Sequence, residues 1–164
     1  MKEIPLTQGK TTRIDDEDFD AVIEAGSQHP WHAHKSENTF YAARTVPDPD
    51  NPGKQSTQFL HRFLRPGAAQ VDHKDGDGLN NQSENLREAT DTQNQANQKK
   101  QSRPTSSVFK GVSLNINTKS WMARIRVKGI LLHLGYYESE EDAAHVYDYA
   151  ARIYFGEFAR PNFP

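Results

Sequence analysis

Residues 71–98 have the sequence VDHKDGDGLNNQSENLREATDTQNQANQ. The stretch is rich in acidic residues and asparagines, contains one histidine and offers little that is apolar. Carboxylate and amide oxygens bind hard divalent cations, whereas a packed core needs apolar side chains. The composition therefore predicts a segment that binds an ion. Two kinds of site fit it: a calcium-binding loop, or the metal-dependent site of a nuclease.

The calcium-binding loop is the first alternative. If His73 is its first residue, Asp75, Asp77 and Glu84 fall at the third, fifth and twelfth positions, where such a loop carries ligands. However, histidine is a poor ligand for a hard cation, and Pro66-Gly67 lies where the incoming helix should run. These departures make calcium binding the weaker alternative.

The nuclease alternative divides the same stretch into a hairpin and a helix. A short strand ending in Asp72-His73, a polar loop and a return strand form the predicted hairpin. Thr90 and Gln93 match a capping box, so a helix begins there and carries Asn94 in its first turns. A carboxylate and an amide oxygen can hold a divalent ion, while a neutral imidazole takes a proton from an attacking water.

The stretch from Val71 to Asn94 resembles the HNH endonuclease motif, in the asparagine-ended form found in phage homing endonucleases. The resemblance implies a ββα-metal fold and a site-specific DNA endonuclease that hydrolyses phosphodiester bonds. It implies that His73 is the general base and that Asn85 steadies the loop around it. Asp72 and Asn94 would be the metal ligands. Asparagine in place of the final histidine favours one Mg²⁺ or Mn²⁺ ion per active site over a softer, zinc-like site.

The C-terminal segment predicts a small sheet covered by a helix. In residues 120–129, SWMARIRVKG, apolar residues alternate with Arg124, Arg126 and Lys128, which is the period of a strand with one buried face. Two further short strands flank this one, and Ser139 begins a helix with acidic residues in its first turn. The predicted apolar stripe of this helix consists of Ala143, Val146, Tyr147, Ala150 and Tyr154.

Charge is distributed unevenly along the chain, whose formal net charge is -2. Residues 99–129 contain eight basic residues and no acidic one, whereas residues 130–164 contain six acidic residues and two arginines. An antiparallel sheet that is covered by a helix on one side leaves its other face open. The basic block therefore predicts an open face that binds a polyanion.

Residues 108–164 resemble the plant ethylene-response-factor (apetala-two) DNA-binding domain. The shared landmarks are GV, W-x-A-x-I-R, LG, AA-x-x-YD-x-AA and a closing FG…NFP. The resemblance implies a three-stranded antiparallel sheet laid in the major groove of double-stranded DNA. The residues at the DNA-facing positions of that family are Lys110, Ser113, Asn115, Arg124, Arg126 and His133, and Lys128 joins them by alternation. Ser113 and His133 replace an arginine and a tryptophan, so the plant recognition sequence does not carry over.

The whole chain is predicted to be an α+β protein. A β-rich N-terminal region and the ββα-metal HNH nuclease domain occupy residues 1–100, and residues 101–107, QSRPTSS, form a linker. Residues 108–164 form the three-stranded antiparallel sheet packed on one helix. In the N-terminal region, DDEDFDAVIEAG predicts a short helix ended by Gly26, and residues 55–64, QSTQFLHRFL, predict a strand.

The sequence also predicts where the protein acts and on what. It has no cysteine, which excludes a disulfide framework and a thiolate metal site. Its N-terminus lacks the apolar run of a signal peptide, and no segment is apolar enough to span a bilayer. We expect a cytoplasmic protein of a bacterial cell or a phage-infected host, whose partner is double-stranded DNA rather than a membrane or a small-molecule substrate. The rival function is a sequence-specific DNA-binding regulator that does not cut, and the sequence does not indicate an oligomeric state.

Overall fold

The computed structural model describes residues 1–100 and 104–163. The described residues form both helices and antiparallel sheets, which agrees with the predicted α+β class. The chain divides into two compact units, Met1–Ala89 and Thr90–Pro164. None of the helices in the described parts of the chain has the length and apolar character needed to cross a bilayer.

The first unit contains a two-stranded ribbon, a three-stranded sheet and a short hairpin within its fully described residues. In chain order its elements are β1 (Lys2–Pro5), β2 (Thr11–Ile14), α1 (Phe19–Gln28), β3 (His32–Lys35), β4 (Phe40–Pro47), β5 (Gln55–Phe59), α2 (Leu60–Leu64), β6 (Val71–His73) and β7 (Leu86–Glu88). β1 pairs with β2, β4 pairs with both β3 and β5, and β6 pairs with β7, all antiparallel.

The apolar core of the first unit joins the ribbon, both helices and β4. Its buried members are Ile4, Ile14, Val22, Trp31, Ala42 and Leu60. The prediction that Gly26 ends the first helix is wrong, because α1 continues to Gln28. A Cβ atom at Gly26 would lie 2.9 Å from Cδ1 of Trp31. The glycine is therefore explained by the close packing of the Trp31 ring and not by a helix end.

The segment predicted as one strand over residues 55–64 changes structure in its middle. The strand stops at Phe59, and α2 begins at Leu60. Leu60, Phe63 and Leu64 all pack against the core of the first unit. These positions have helical spacing, so a helix brings all three side chains to the same side of the backbone and a strand does not.

The second unit contains a central three-stranded antiparallel sheet. Its elements are α3 (Asp91–Asn97), β8 (Val112–Asn115), β9 (Ser120–Val127), β10 (Ile130–Tyr137) and α4 (Glu140–Phe155). β9 lies between β8 and β10. Both predicted helix starts are confirmed. Thr90 and Gln93 form the reciprocal capping box of α3, and Ser139 caps α4 by accepting a hydrogen bond from Asp142 N at 3.2 Å.

α4 packs against the sheet through small residues. Its buried apolar side chains are Ala143, Ala144, Tyr147, Ala150 and Ala151. Tyr154, which we predicted in the apolar stripe, is 50% exposed. Val146 is only half-buried, and the buried stripe instead includes Ala144 and Ala151. A surface of alanines lets the helix backbone approach the buried face of the sheet, where Ala123 and Ile125 lie.

The division of the chain after Ala89 places α3 with the C-terminal residues, whereas we predicted the boundary at residues 101–107. Lys110 explains part of this grouping. Its Nζ donates hydrogen bonds to the carbonyl oxygens of Ala96 at 2.5 Å and of Gln98 at 2.7 Å. Carbonyl groups at the C-terminal end of a helix lack partners within the helix and attract a cation.

The predicted linker is described only in part, because residues 101–103 lie outside the described residues. Ser107 is buried, and its hydroxyl donates a hydrogen bond to Oε1 of Glu140 at 2.7 Å. The backbone N–H of Val108 donates to the same oxygen at 3.1 Å. The end of this segment is therefore fastened to the first turn of α4.

Candidate functional site

Asp72 lies on β6 directly opposite Arg87 on β7. The guanidinium of Arg87 donates from Nε at 2.9 Å and from Nη2 at 2.8 Å, both to Oδ2 of Asp72. The side chains of Asp72 and Arg87 are only 5% and 11% exposed. The pair balances a buried negative charge and fixes the orientation of the carboxylate. Arg87 does not stand out in the sequence, although its position opposite Asp72 follows from the register of the hairpin.

His73 follows Asp72 on the same strand and is 6% exposed. Its ring centroid lies 5.1 Å from that of His61 and 5.7 Å from that of Tyr41, so other rings enclose it. Burial lowers the pKa of His73, while the hydrogen bond to Asn81 and the nearby carboxylates oppose the shift. The imidazole is therefore neutral at neutral pH, with one nitrogen that donates and one that accepts.

Asn81 contacts His73 and was missed by sequence analysis. Its Oδ1 lies 3.2 Å from Nε2 of His73. Its Nδ2 donates to Oγ1 of Thr12 at 2.8 Å and lies 3.4 Å from the carbonyl oxygen of Gly78. Thr12 in turn donates to the carbonyl oxygen of Leu79 at 2.9 Å. The sequence gives no reason to prefer Asn81 over its neighbour Asn80, because the partner Thr12 lies far away in the chain.

Asn85 forms hydrogen bonds across the polar loop between β6 and β7. Its Oδ1 accepts a hydrogen bond from the backbone N–H of Asp75 at 3.1 Å. Its Nδ2 donates to Oδ1 of Asp75 at 3.0 Å and to the carbonyl oxygen of Asn80 at 2.8 Å. These bonds agree with the predicted role of steadying the loop around His73. The catalytic importance of Asn85 stays a prediction.

Asp75 and Asp77, the central residues of the calcium alternative, accept hydrogen bonds from the loop itself. Asp75 accepts from the backbone N–H of Asp77 at 2.8 Å and from Nδ2 of Asn80 at 2.8 Å. Asp77 accepts from the backbone N–H of Leu79 at 3.0 Å and from Nη2 of Arg13 at 3.0 Å. Both carboxylates therefore serve to hold the shape of the loop.

The loop is supported by the ribbon and by β4. The backbone N–H of Arg13 donates to the carbonyl oxygen of Leu79 at 2.9 Å, and the N–H of Asn81 donates back to the carbonyl oxygen of Arg13 at 2.8 Å. A Cβ atom at Gly78 would lie 2.4 Å from Cδ1 of Tyr41. Only glycine therefore allows the loop to approach β4 this closely.

Asn94, the second predicted metal ligand, lies on α3 in the second unit. Asp72 belongs to the first unit, so the convergence of the two side chains stays a prediction. A carboxylate and an amide oxygen are hard ligands, and this donor set fits Mg²⁺ or Mn²⁺. The described residues contain no group of three or more His, Asp or Glu side chains placed to hold a metal ion. The predicted pair does not require such a group.

The sheet of the second unit brings most of the predicted DNA-binding residues to one face. Ala123 and Ile125 of β9 are buried toward α4, so the residues between them face the other way. Arg124 pairs with His133 across β9 and β10, which places both on this open face. By the same register the open face carries Ser113, Asn115, Met122, Arg124, Arg126, Leu131 and His133.

Two of the predicted DNA-binding lysines lie elsewhere. Lys128 occupies the turn between β9 and β10 with φ of 48°, so the alternation stops at Val127 and does not place Lys128 on the open face. Lys110 donates to the end of α3, and burial, with the nearby charge of Arg160, lowers its pKa to about 8. DNA contacts by these lysines stay predictions.

The chain is similar to known proteins in two comparisons. Residues 65–96 match a family model described as HNH endonuclease. An uncharacterised HNH endonuclease of Acanthamoeba polyphaga mimivirus is 39% identical over 111 residues, which cover 63% of this chain and 56% of the relative. The chain thus spans about half the length of this curated relative. The match of residues 65–96 confirms the predicted HNH endonuclease segment.

Proposed function

We propose that this chain is a DNA endonuclease of the homing type that hydrolyses phosphodiester bonds. His73 would be its general base, and Asp72 and Asn94 would hold one Mg²⁺ or Mn²⁺ ion. The observation that carries the proposal is the buried Asp72-His73 pair at the end of β6, inside the segment 65–96 that matches HNH endonucleases. An oriented carboxylate beside a neutral imidazole suits metal-assisted hydrolysis.

Each residue of the hairpin has a separate task in this proposal. A bound ion would stabilise negative charge on the phosphate and on the leaving oxygen. His73 accepts the proton of the attacking water at a ring nitrogen. Arg87 holds the Asp72 carboxylate through its two hydrogen bonds, and Asn85 keeps the loop closed through its bonds to Asp75 and Asn80.

The open face of the second unit is proposed to find the target in double-stranded DNA. Arg124 and Arg126 are exposed and lie two residues apart on the same face of β9. His133 pairs with Arg124 on the neighbouring strand. Arginine can bind guanine through two hydrogen bonds in the major groove, and strands as well as helices can enter that groove. This arrangement and the resemblance of residues 108–164 to the ethylene-response-factor domain support the assignment. The proposed compartment is the cytoplasm of a bacterial cell or a phage-infected host.

The proposal is tested by incubating the purified chain with genomic DNA of its source, with and without Mg²⁺, and by mapping the ends produced. We expect cuts at a defined sequence in the presence of Mg²⁺ and none without a divalent ion. His73→Ala serves as the matched control, since it should still bind DNA. Sequence-specific binding without cleavage in either Mg²⁺ or Mn²⁺ would instead assign the non-cutting regulator.

A further inference from the structure

In the first unit, a chain of hydrogen bonds runs from Thr12 through Asn81 to His73. We propose that Thr12 and Asn81 are positioning residues which fix His73 as the Nε2–H tautomer and so keep Nδ1 as the nitrogen that accepts a proton. This inference deepens the proposed nuclease function and rests on it for its catalytic meaning. The tautomer itself can be measured without any cleavage reaction.

The orientation of the Asn81 amide is set by two oxygen atoms. One end of the amide lies 2.8 Å from Oγ1 of Thr12 and 3.4 Å from the carbonyl oxygen of Gly78. A carbonyl oxygen can only accept a hydrogen bond, so the NH₂ group of Asn81 must occupy this end. The amide oxygen then faces Nε2 of His73, from which it is separated by 3.2 Å.

The hydroxyl of Thr12 gives this chain of hydrogen bonds its direction. It donates its single hydrogen to the carbonyl oxygen of Leu79 at 2.9 Å. Its oxygen therefore meets the Asn81 NH₂ group as an acceptor. The carbonyl oxygen of Leu79 thus determines the direction of each hydrogen bond from Thr12 through Asn81 to the imidazole of His73.

The amide oxygen of Asn81 can only accept, so Nε2 of His73 must carry the hydrogen. In a neutral imidazole with Nε2 protonated, Nδ1 is the nitrogen with the lone pair. Thr12 and Asn81 are 0% and 1% exposed, so water does not compete for these bonds. The N-terminal ribbon, which carries Thr12, therefore takes part in setting the chemical state of the base.

Thr12→Val removes the hydroxyl at nearly constant volume, and Thr12→Ser keeps it as the matched control. Without the hydroxyl, the Asn81 amide keeps only its longer contact with the carbonyl oxygen of Gly78 at 3.4 Å. Its orientation is then held less firmly, and both tautomers of His73 become accessible. We expect Thr12→Val to lower kcat for DNA cleavage by about 10- to 100-fold, by analogy with the loss of partners that orient metal-ligating histidines. The KM for DNA should stay unchanged because Thr12 is buried, and Thr12→Ser should restore kcat.

The tautomer is measured in the full chain by ¹⁵N NMR of the histidine side chains, with the His73 signals identified by their loss in His73→Gln. We expect Nε2 protonated and Nδ1 unprotonated in the wild type and in Thr12→Ser, and a mixture in Thr12→Val. An Nδ1–H tautomer in the wild type would overturn the proposal without the need for any variant. The expected tautomer pattern in a chain that does not cut DNA would support the tautomer assignment and overturn the nuclease function instead.

Discussion

Arg87 directs two hydrogen bonds, from Nε and Nη2, to a single oxygen of Asp72 at 2.9 and 2.8 Å. The two residues are opposite each other in the β6–β7 register, so the hairpin that presents Asp72 also supplies its countercharge. The carboxylate proposed as a metal ligand is thus oriented by its own hairpin.

Arg87→Met should destabilise the first unit, because it removes a buried countercharge and two hydrogen bonds from Asp72. We expect a loss of about 3–5 kcal/mol in the free energy of unfolding, as for other broken buried ion pairs. Arg87→Lys keeps the charge but not the planar guanidinium with its paired donors, so it should lower the free energy of unfolding by less. Urea unfolding of the three proteins measures this. A loss below about 1 kcal/mol in Arg87→Met would mean that the pair behaves like one at the surface.

Asp72→Ala should abolish cleavage at ordinary Mg²⁺ concentrations, since it removes the proposed carboxylate ligand. Asn94→Ala should have the same effect in a milder form. Asp77→Ala is the control within the loop: it removes bonds to Arg13 and Leu79 and should mainly lower stability. Initial cleavage rates over a Mg²⁺ titration compare the three variants. If Asp77→Ala were the damaging change and Asp72→Ala a mild one, the calcium alternative would be favoured.

Arg124→Ala or Arg126→Ala should weaken specific DNA binding by about 1–3 kcal/mol where the arginine contacts a base. Arg152→Ala is a matched control, since Arg152 is exposed on α4, which packs against the other face of the sheet. Equilibrium binding to target and to unrelated duplexes measures the difference. Wild-type affinity in the Arg124 and Arg126 double variant would contradict the DNA-binding face.

Lys110 should make stability depend on pH. Burial lowers its pKa from 10.5 to about 8, so between these values the unfolded chain holds more protons on Lys110 than the folded chain does. The free energy of unfolding should therefore rise with pH in this window, by up to roughly 3 kcal/mol from this group. Lys110→Met should lack this rise. Denaturant unfolding at several pH values measures this rise. If the free energy of unfolding depended on pH in the same way in the wild type and in Lys110→Met, the lowered pKa of Lys110 would be contradicted.

The parts of the fold that follow from local rules could be predicted from the sequence. The alternation in β9 and the caps at Thr90 and Ser139 involve neighbouring residues, and the structure has them. Gly26 and the segment after Phe59 were misjudged because packing against Trp31 and the core decides them. Such tertiary contacts leave no signal in the local sequence pattern.

The residues of the site also fall into those that the local sequence predicts and those that only distant contacts place. Asp72, His73 and Asn85 stand out because their residue types and spacing form a motif. Asn81 does not, since its partner Thr12 lies 69 residues away. Arg87 is an intermediate case, because the register of a predicted hairpin could have placed it opposite Asp72.

The central claim is that His73 is the base of a metal-dependent nuclease, and it is tested most directly by the cleavage rate of His73→Ala. We expect this variant to bind DNA and Mg²⁺ almost as the wild type does and to cut about 10²–10⁴-fold more slowly, the usual cost of losing a general base. The measurement compares single-turnover cleavage by both proteins across one Mg²⁺ titration. Cleavage by His73→Ala at the wild-type rate would contradict the account.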